Sequence, residues 1–529
     1  MSKEHSVRRL VSLCIIAFLQ FLISCRFEKN VDLTPMDNTQ HIQDLRTADS
    51  LYKTGSYTCL EDAFGIYEKL LTIPFEQEAT AEKLFKTALL LSLRVKELGI
   101  INAKYIRRAE ELVVSYYPQL SKFESTIKFA ATIPYTIKGV VLGFNTGGPN
   151  LGAYYDWINT NVRSLNEELK ACAETTEFFA YLYVYFFENF SYQLEEDHDF
   201  RRLIDLFPDS SMIKYRVALL YDKDKELLED TLDAEPSFKE AHLFLGKKAF
   251  EEKKLLTAEK HFRKAYEILP DSLSVLVFLA GVHFALEENE ESLGFYEDAL
   301  RIAPDFREAL LGKAVCLGYM GKHEYAIRVL NELIRMGRYY MGESYFWLAW
   351  NQYELGLIED AQKNVEKTEN YLVGHVEVLA LQGKIAFKLG QIDESEEYFK
   401  QALIFQPNHC ESVYHMAKIY ALREDWEKTG THYEKAAFCY KKQEAAIDAR
   451  IKKIEESPMS LERKAKLILR KKAQSRKAAL TKATCYYNGA AGYFNCGLKD
   501  KALVFAAYAA QEKAFADRAE ELIKKIECR

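Results

Sequence analysis

Residues 245–270 read LGKKAFEEKKLLTAEKHFRKAYEILP, and residues 279–304 read LAGVHFALEENEESLGFYEDALRIAP. The two segments start 34 residues apart, carry a small residue at the same early position (Gly246 and Ala280), and end in Pro270 and Pro304. Self-similarity at a fixed period of this length predicts a stack of equivalent units, each built from two helices.

The same period extends over residues 236–440. Pro236, Pro270 and Pro304 are spaced by 34 residues, and Pro407 lies 103 residues further on, which is three periods plus one residue. A small residue that lets the first helix of each unit approach its partner recurs six times, as Gly246, Ala280, Ala314, Ala349, Gly383 and Ala417. A proline after the second helix stops that helix, because proline cannot continue its hydrogen-bond ladder.

This pattern resembles the tetratricopeptide repeat. The resemblance implies an all-α fold in which helix-turn-helix repeats form a right-handed superhelix that binds other proteins. We assign the repeat array to residues 208–440, with about six to seven units. C-terminal helices follow at 441–529, and one interpretation is that they include a degenerate repeat and a cap. Residues 45–207 are assigned to an atypical helical region that starts like a repeat and is irregular over 118–160.

The N-terminus has the pattern of an export signal. Lys3, Arg8 and Arg9 precede an uncharged stretch over residues 10–23, which is too short to span a bilayer comfortably. The stretch ends in Leu-Ile-Ser-Cys at residues 22–25, which resembles the bacterial lipobox. The resemblance implies a signal peptide over 1–24 and a tether over 25–44 that bears acyl chains such as palmitate on Cys25. The protein would then be anchored by lipid in the inner or the outer membrane and face the periplasm. An ordinary signal peptide or an uncleaved anchor is the alternative.

One segment of the atypical region is rich in aromatic residues. Residues 174–192 contain nine Phe and Tyr residues on every side of a predicted helix. Aromatics all round indicate a helix that is buried all round. A hydrophobic ligand pocket or partner surface is the alternative that stays open.

A second unusual segment is strongly basic. We predict separate helices over 444–456 and 460–482, and residues 461–482 carry nine cations against one acid, Glu462. This basic helix either presents a solvated face or contacts anionic lipid headgroups or an acidic protein. The formal net charge of −7 gives no general case for nucleic-acid binding.

The sequence carries no motif of a catalytic or metal site. It lacks His-Glu-x-x-His, Gly-x-Ser-x-Gly and Cys-x-x-Cys, and the glycine-rich residues 145–152 lack the Lys-Ser/Thr ending of a phosphate loop. We therefore predict no enzyme activity and no cofactor. Eight cysteines remain after Cys14 and Cys25, and we expect mostly free, buried thiols, with Cys316 and Cys439 acting as small hydrophobes in repeat helices.

The family resemblance places alternate positions of each first helix on the concave face. These positions hold the residues that we predict to bind a partner: Phe284, Tyr319, Phe346, Trp350, Tyr353 and Phe387. Lys247, Lys384 and Lys418 lie at flanking positions, and no asparagine is present to grip a terminal carboxylate. This composition favours a hydrophobic peptide or helix as the partner, although tryptophan at such a position also serves as core.

Two other functions stay open. The first is an accessory role in a periplasmic TRAP-type transport system that handles a hydrophobic small ligand, for which the aromatic helix at 174–192 would line a pocket. The second is a hydrolase formed by residues 118–200, which would require an Asp/His/Ser cluster.

Overall fold

The computed structural model describes residues 39–73, 76–116, 166, 169–171, 173–190, 200–221, 224–337 and 339–528. Every regular element within these ranges is helical, so the predicted all-α fold is confirmed. A search of the same residues finds no helix with both the length and the apolar character needed to cross a bilayer. The predictions for Cys25 and for residues 145–152 lie outside the described residues.

The described part of the N-terminal region consists of helices, most of which pack against the next one in the chain. Its helices are α1 (Thr39–Thr54), α2 (Tyr57–Leu71), α3 (Gln77–Glu97), α4 (Lys104–Tyr116), α5 (Glu177–Phe190), α6 (Arg201–Leu206), α7 (Ser211–Leu220) and α8 (Lys225–Ala234).

The repeat array follows as pairs of antiparallel helices. The pairs are α9 (Ala241–Glu251) with α10 (Leu255–Tyr266), α11 (Leu273–Ala285) with α12 (Asn289–Ile302), α13 (Arg307–Tyr319) with α14 (His323–Met336), α15 (Met341–Glu354) with α16 (Ile358–Glu366), α17 (Val376–Lys388) with α18 (Ile392–Phe405), and α19 (Cys410–Leu422) with the start of α20 (Trp426–Glu456). We number these six units in this order.

In the first and fifth units, an aromatic ring of the second helix fills the space above a glycine of the first helix. A Cβ atom added to Gly246 would lie 2.6 Å from the Phe262 ring, and one added to Gly383 would lie 2.8 Å from the Phe399 ring. Both rings are fully buried. The absence of a side chain on the first helix therefore sets how closely the second helix packs against it.

A buried charge network joins the N-terminal region to the array. Glu240 accepts a hydrogen bond from the Tyr57 backbone N–H at 2.7 Å and pairs with Arg94. Arg216 pairs with Glu97 at 2.7 Å. All four charged side chains are almost completely buried, and ion pairing offsets the high cost of removing such charges from water. The N-terminal helices and the first units thus share one continuous core.

The aromatic helix predicted over 174–192 is part of that core. Tyr181, Tyr183 and Tyr185 of α5 are buried, and the Tyr181 hydroxyl donates to Glu97 at 2.7 Å. The core-packing interpretation therefore holds for the described side chains of this helix.

The C-terminal region contains two separate helices with the break at residues 457–460, as predicted, but both helices are longer than predicted. The second helix of the sixth unit continues to Glu456, so α20 has 31 residues, and α21 (Leu461–Asn495) has 35. They run antiparallel, because Asp448 bonds Ser475 while Glu444 pairs with Lys482. Gly430 and Gly492 let the two backbones meet, and α22 (Lys499–Ala510) and α23 (Ala516–Glu527) complete the chain.

The prediction for Cys439 is wrong. Cys439 of α20 forms a disulfide bond with Cys410 at the start of α19. Spacing along the sequence gave no sign of this pair, because the two residues meet only when the helices of the sixth unit pack. Cys316 and Cys485 are free and buried, as expected, whereas the free Cys59 and Cys496 are only partly buried and Cys528 is exposed, so the expectation of mostly buried thiols is wrong for the described cysteines.

Replacing Gly383 by alanine tests the packing rule of the repeat. The added methyl group meets the buried Phe399 ring, so the free energy of unfolding should fall by about 1–3 kcal/mol in urea denaturation. Gly294 is the matched control, because it lies on the exposed face of α12 with nothing within 4 Å of an added Cβ. Gly294→Ala should raise stability by up to about 1 kcal/mol. Equal effects of the two changes would contradict the rule.

Candidate protein-binding groove

The first helices of successive units lie side by side and present a row of aromatic side chains. Phe284 of α11 contacts Tyr319 of α13 with ring centroids 5.5 Å apart, and Tyr319 contacts Trp350 of α15 at 5.8 Å. Trp347 joins the row, 5.6 Å from Tyr319 and 5.2 Å from Phe346. We call these five residues the aromatic ladder.

The ladder combines exposed and packed surfaces. Tyr319 is 55% exposed, whereas Phe346 and Trp350 are half-buried and pack on a core cluster formed by α15, α16 and α17. Packing fixes the orientation of the two half-buried rings, so they support the exposed one. A partner would therefore meet an aromatic surface that is ordered in advance, which lowers the entropic cost of binding.

Tyr353 and Phe387, the other predicted residues, contact lysines rather than the ladder. The Lys384 ammonium lies 5.3 Å from the Tyr353 ring centroid and 3.1 Å from a Glu411 carboxylate oxygen. Lys418 lies 4.9 Å from the Phe387 ring. The structure thus places these two aromatics at a basic end of the face.

Burial weakens the positive charge of the basic groups at that end. Desolvation lowers the pKa of Lys418, and nearby Lys388 lowers it further. Burial lowers the pKa of His415 to about 4, with Lys418 contributing, so His415 is neutral at neutral pH. The lysines are therefore the cations available to a carboxylate at this end.

Sequence reasoning missed Trp347 as a member of the ladder. It lies one position beyond the predicted Phe346, and the aromatic run at residues 345–347 was the available signal. Glu240, which immediately precedes α9 of the first unit, is completely buried with Arg94. The first unit consequently does not extend the exposed face there.

The basic helix contacts acidic residues of its own chain. Arg463 of α21 pairs with Glu288 at 2.5 Å and with Glu259 at 2.8 Å. Further pairs join Lys466 to Glu291, Arg470 to Glu290 and Lys471 to Glu287, at 2.8, 2.6 and 2.5 Å. We call these nine residues the basic clamp. The interpretation of a wholly solvated face is therefore wrong for these four cations.

The centre of the clamp is almost excluded from water. Glu259 and Glu288 are buried, and a Glu288 carboxylate oxygen also lies 2.7 Å from His283 Nδ1, within hydrogen-bonding distance. Desolvation alone would raise the pKa of Glu288, but hydrogen bonds from His283 and Arg463 outweigh it and lower that pKa to about 2. The carboxylate is therefore charged at all physiological pH values.

Within the described ranges no group of three or more His, Cys, Asp or Glu residues is arranged to hold a metal ion. The ladder and its basic end present aromatic rings, lysines and a carboxylate.

Comparison with known proteins identifies the repeat. Residues 376–409, which span α17 and α18, match the tetratricopeptide repeat family. Tetratricopeptide repeat protein 8 of Caenorhabditis elegans is 24% identical over 202 residues, or 37% of this chain and 39% of that protein. The chain therefore spans about two fifths of the length of this relative.

Solved structures of repeat proteins are similar over different shares of the chain. PilW, a type IV pilus biogenesis factor, is 25% identical, with 37% of this chain and 94% of PilW covered and a TM-score of 0.34. The Cut9–Hcn1 hetero-tetramer of APC/C is 13% identical, with 92% and 97% covered and a TM-score of 0.42.

Arg463→Met tests whether the clamp holds α21 in place. The change leaves Glu259 and Glu288 without their shared cation, so stability at pH 7 should fall by about 2–3 kcal/mol. Hydrogen exchange should rise over residues 461–476. Lys472→Met is the matched control, because Lys472 is exposed and lies outside the clamp.

The same pair of variants has a defined pH dependence. The pKa of Glu288 in the folded chain lies below its ordinary value of 4.5, so its contribution is present above about pH 4.5 and is lost as pH falls toward 2. The stability difference between the parent chain and Arg463→Met should therefore shrink between pH 5 and pH 2, as urea titrations would show. A difference that stays constant would contradict this role of Arg463.

Proposed function

We propose that this chain is a lipid-anchored interaction scaffold of the bacterial envelope, whose aromatic ladder binds a hydrophobic helical segment of a partner protein. The tetratricopeptide-type fold supports the role of a protein–protein interaction scaffold. The observation that carries the finer proposal is the exposed Tyr319 ring, ordered by its contacts with Phe284 and Trp350. Exposed aromatic residues on a rigid support are typical binding anchors.

The charges beside the ladder define the partner further. Lys384 and Lys418 lie beyond the ladder toward the sixth unit. A partner helix with an apolar stripe over the ladder and acidic residues over these lysines would match the face along its length.

The export signal supports the proposed location. Residues 22–25 match the lipobox pattern, and acylation of Cys25 would bury several alkyl chains in a membrane. The Cys410–Cys439 disulfide also fits an exported protein, because disulfides persist in oxidising compartments.

The transport alternative has less support. A hydrophobic ligand carrier would use the aromatic helix α5 as the lining of a pocket. The described tyrosines of α5 are instead packed in the core and bonded to its charge network. We therefore do not propose this function.

Tyr319→Ala tests the ladder, with Tyr325→Ala as the matched control. The two tyrosines are 55% and 57% exposed, but Tyr325 lies on α14, the second helix of its unit. A partner captured from envelope membranes by crosslinking should be lost from Tyr319→Ala and kept by Tyr325→Ala. Calorimetry with a peptide from that partner should show about 30-fold weaker binding to Tyr319→Ala. Equal binding by both variants would contradict the groove.

Cys25→Ser tests the lipid anchor. In bacteria fed an alkyne fatty acid, the parent chain should carry the label and appear in the membrane fraction, because the Cys25 sulfur and amino terminus receive acyl chains. The serine variant should carry no label. Labelling of the serine variant would place the modification elsewhere and contradict the assignment.

A further inference from the structure

Helix α21 has three faces over residues 461–482, and two of them are occupied. Arg463 and Arg470 point to the repeat array through the basic clamp. Ser475 and Lys482 face α20, where they contact Asp448 and Glu444. Leu467 and Ala478 are buried between these two faces.

The third face is a strip of leucines and cations that lies in solvent. Leu461, Ala465, Leu469, Lys472, Arg476 and Leu480 follow one another at spacings of three or four residues, which places them on one side of a helix. We call these six residues the outer strip. Leu461 is 85% exposed, Leu469 is 72% exposed and Leu480 is 43% exposed. The strip is about 28 Å long at 1.5 Å per residue.

The cations of the outer strip differ from those of the clamp. Among the described residues, no carboxylate lies within 4 Å of the Lys472 or Arg476 side chain, whereas Arg463, Lys466, Arg470 and Lys471 each have one. The chain thus pairs the cations of the clamp directly with carboxylates, whereas Lys472 and Arg476 border a groove shared with Glu444 and Asp448 of α20 and form no direct ion pair there. Three exposed leucines beside available cations form the pattern of a helix that lies in a membrane interface.

We propose that the outer strip of α21 lies on an anionic bilayer surface and fixes the orientation of the repeat array on the membrane. The leucines would enter the boundary between headgroups and acyl chains, which interfacial helices reach at a depth of about 5–10 Å. Lys472 and Arg476 would contact lipid phosphates. An anionic bilayer presents phosphates and an apolar layer side by side along its whole surface, which matches the cations and the leucines of the strip together.

This inference goes beyond the groove and rests on the proposed membrane location. With the strip against the bilayer, the array would be held at two places, the N-terminal tether and the α20–α21 hairpin. The side of α21 that carries the clamp would face away from the lipid, so the clamp and the membrane contact are compatible.

A tryptophan reporter in the full chain tests the strip. Leu469→Trp chains are reconstituted into vesicles of brominated phosphatidylcholine, with or without phosphatidylglycerol, and fluorescence quenching is measured. Leu422→Trp is the matched control, because Leu422 is a similarly exposed leucine, 61%, on α19. We expect phosphatidylglycerol to increase quenching at least about threefold for Leu469→Trp and to leave Leu422→Trp unchanged.

Charge reversal provides the second arm. Lys472→Glu/Arg476→Glu in the Leu469→Trp chain should weaken strip association at least about tenfold, because each cation near an anionic surface contributes about fivefold. Lys524→Glu/Lys525→Glu, which changes two exposed lysines of α23, should have no effect.

The outcomes separate the strip from the anchor. Retention of the chain on pure phosphatidylcholine vesicles reports the lipid anchor, whereas quenching that depends on phosphatidylglycerol reports the strip. Equal quenching at the two reporter positions, or quenching unaffected by charge reversal, would overturn the strip assignment. Binding of soluble polyglutamate through Lys472 and Arg476 without any vesicle response would assign the strip to an acidic protein instead.

Discussion

The close approach of two helices at a small residue is the constraint on which the array depends. Gly246 and Gly383 leave room for the rings of Phe262 and Phe399, and the units between them have buried alanines at the equivalent position, Ala280, Ala314 and Ala349. This contact sets the distance and angle of each helix pair. Because the pairs are nearly identical, their first helices line up and bring aromatic residues from different units into one row.

The buried charged contacts connect parts of the chain that are not related to each other by the 34-residue repeat. The Arg94–Glu240 pair joins helix α3 to the first unit, and the Arg463–Glu288 pair joins helix α21 to the second. Both lie mainly in buried surroundings, where an unmatched charge is costly. They therefore discriminate against other ways of docking the terminal regions onto a rather uniform stack.

The fold could be predicted from the sequence because its main contacts are local and periodic. Gly246 and Phe262 are 16 residues apart, as are Gly383 and Phe399, whereas Arg463 and Glu288 are 175 apart and occur once. Aligning the repeats was enough to predict that Tyr319 and Trp350 lie on the same face of the array. The sequence did not predict the role of Trp347, the Cys410–Cys439 disulfide or the full lengths of α20 and α21. Each of these depends on how helices pack against one another in three dimensions.

The α20–α21 hairpin changes the mechanics of the array. A linear stack of repeats can bend and stretch, since each unit contacts only its neighbours. Here the hairpin leaves the sixth unit and is joined by Arg463 to Glu259 of the first unit and Glu288 of the second, so the hairpin and the intervening units form a closed loop. Stretching or twisting the loop requires ion pairs to separate. The stiffness of this closed loop should therefore vary with ionic strength, most strongly through the exposed ion pairs. The curvature of the array is thus fixed before a partner binds.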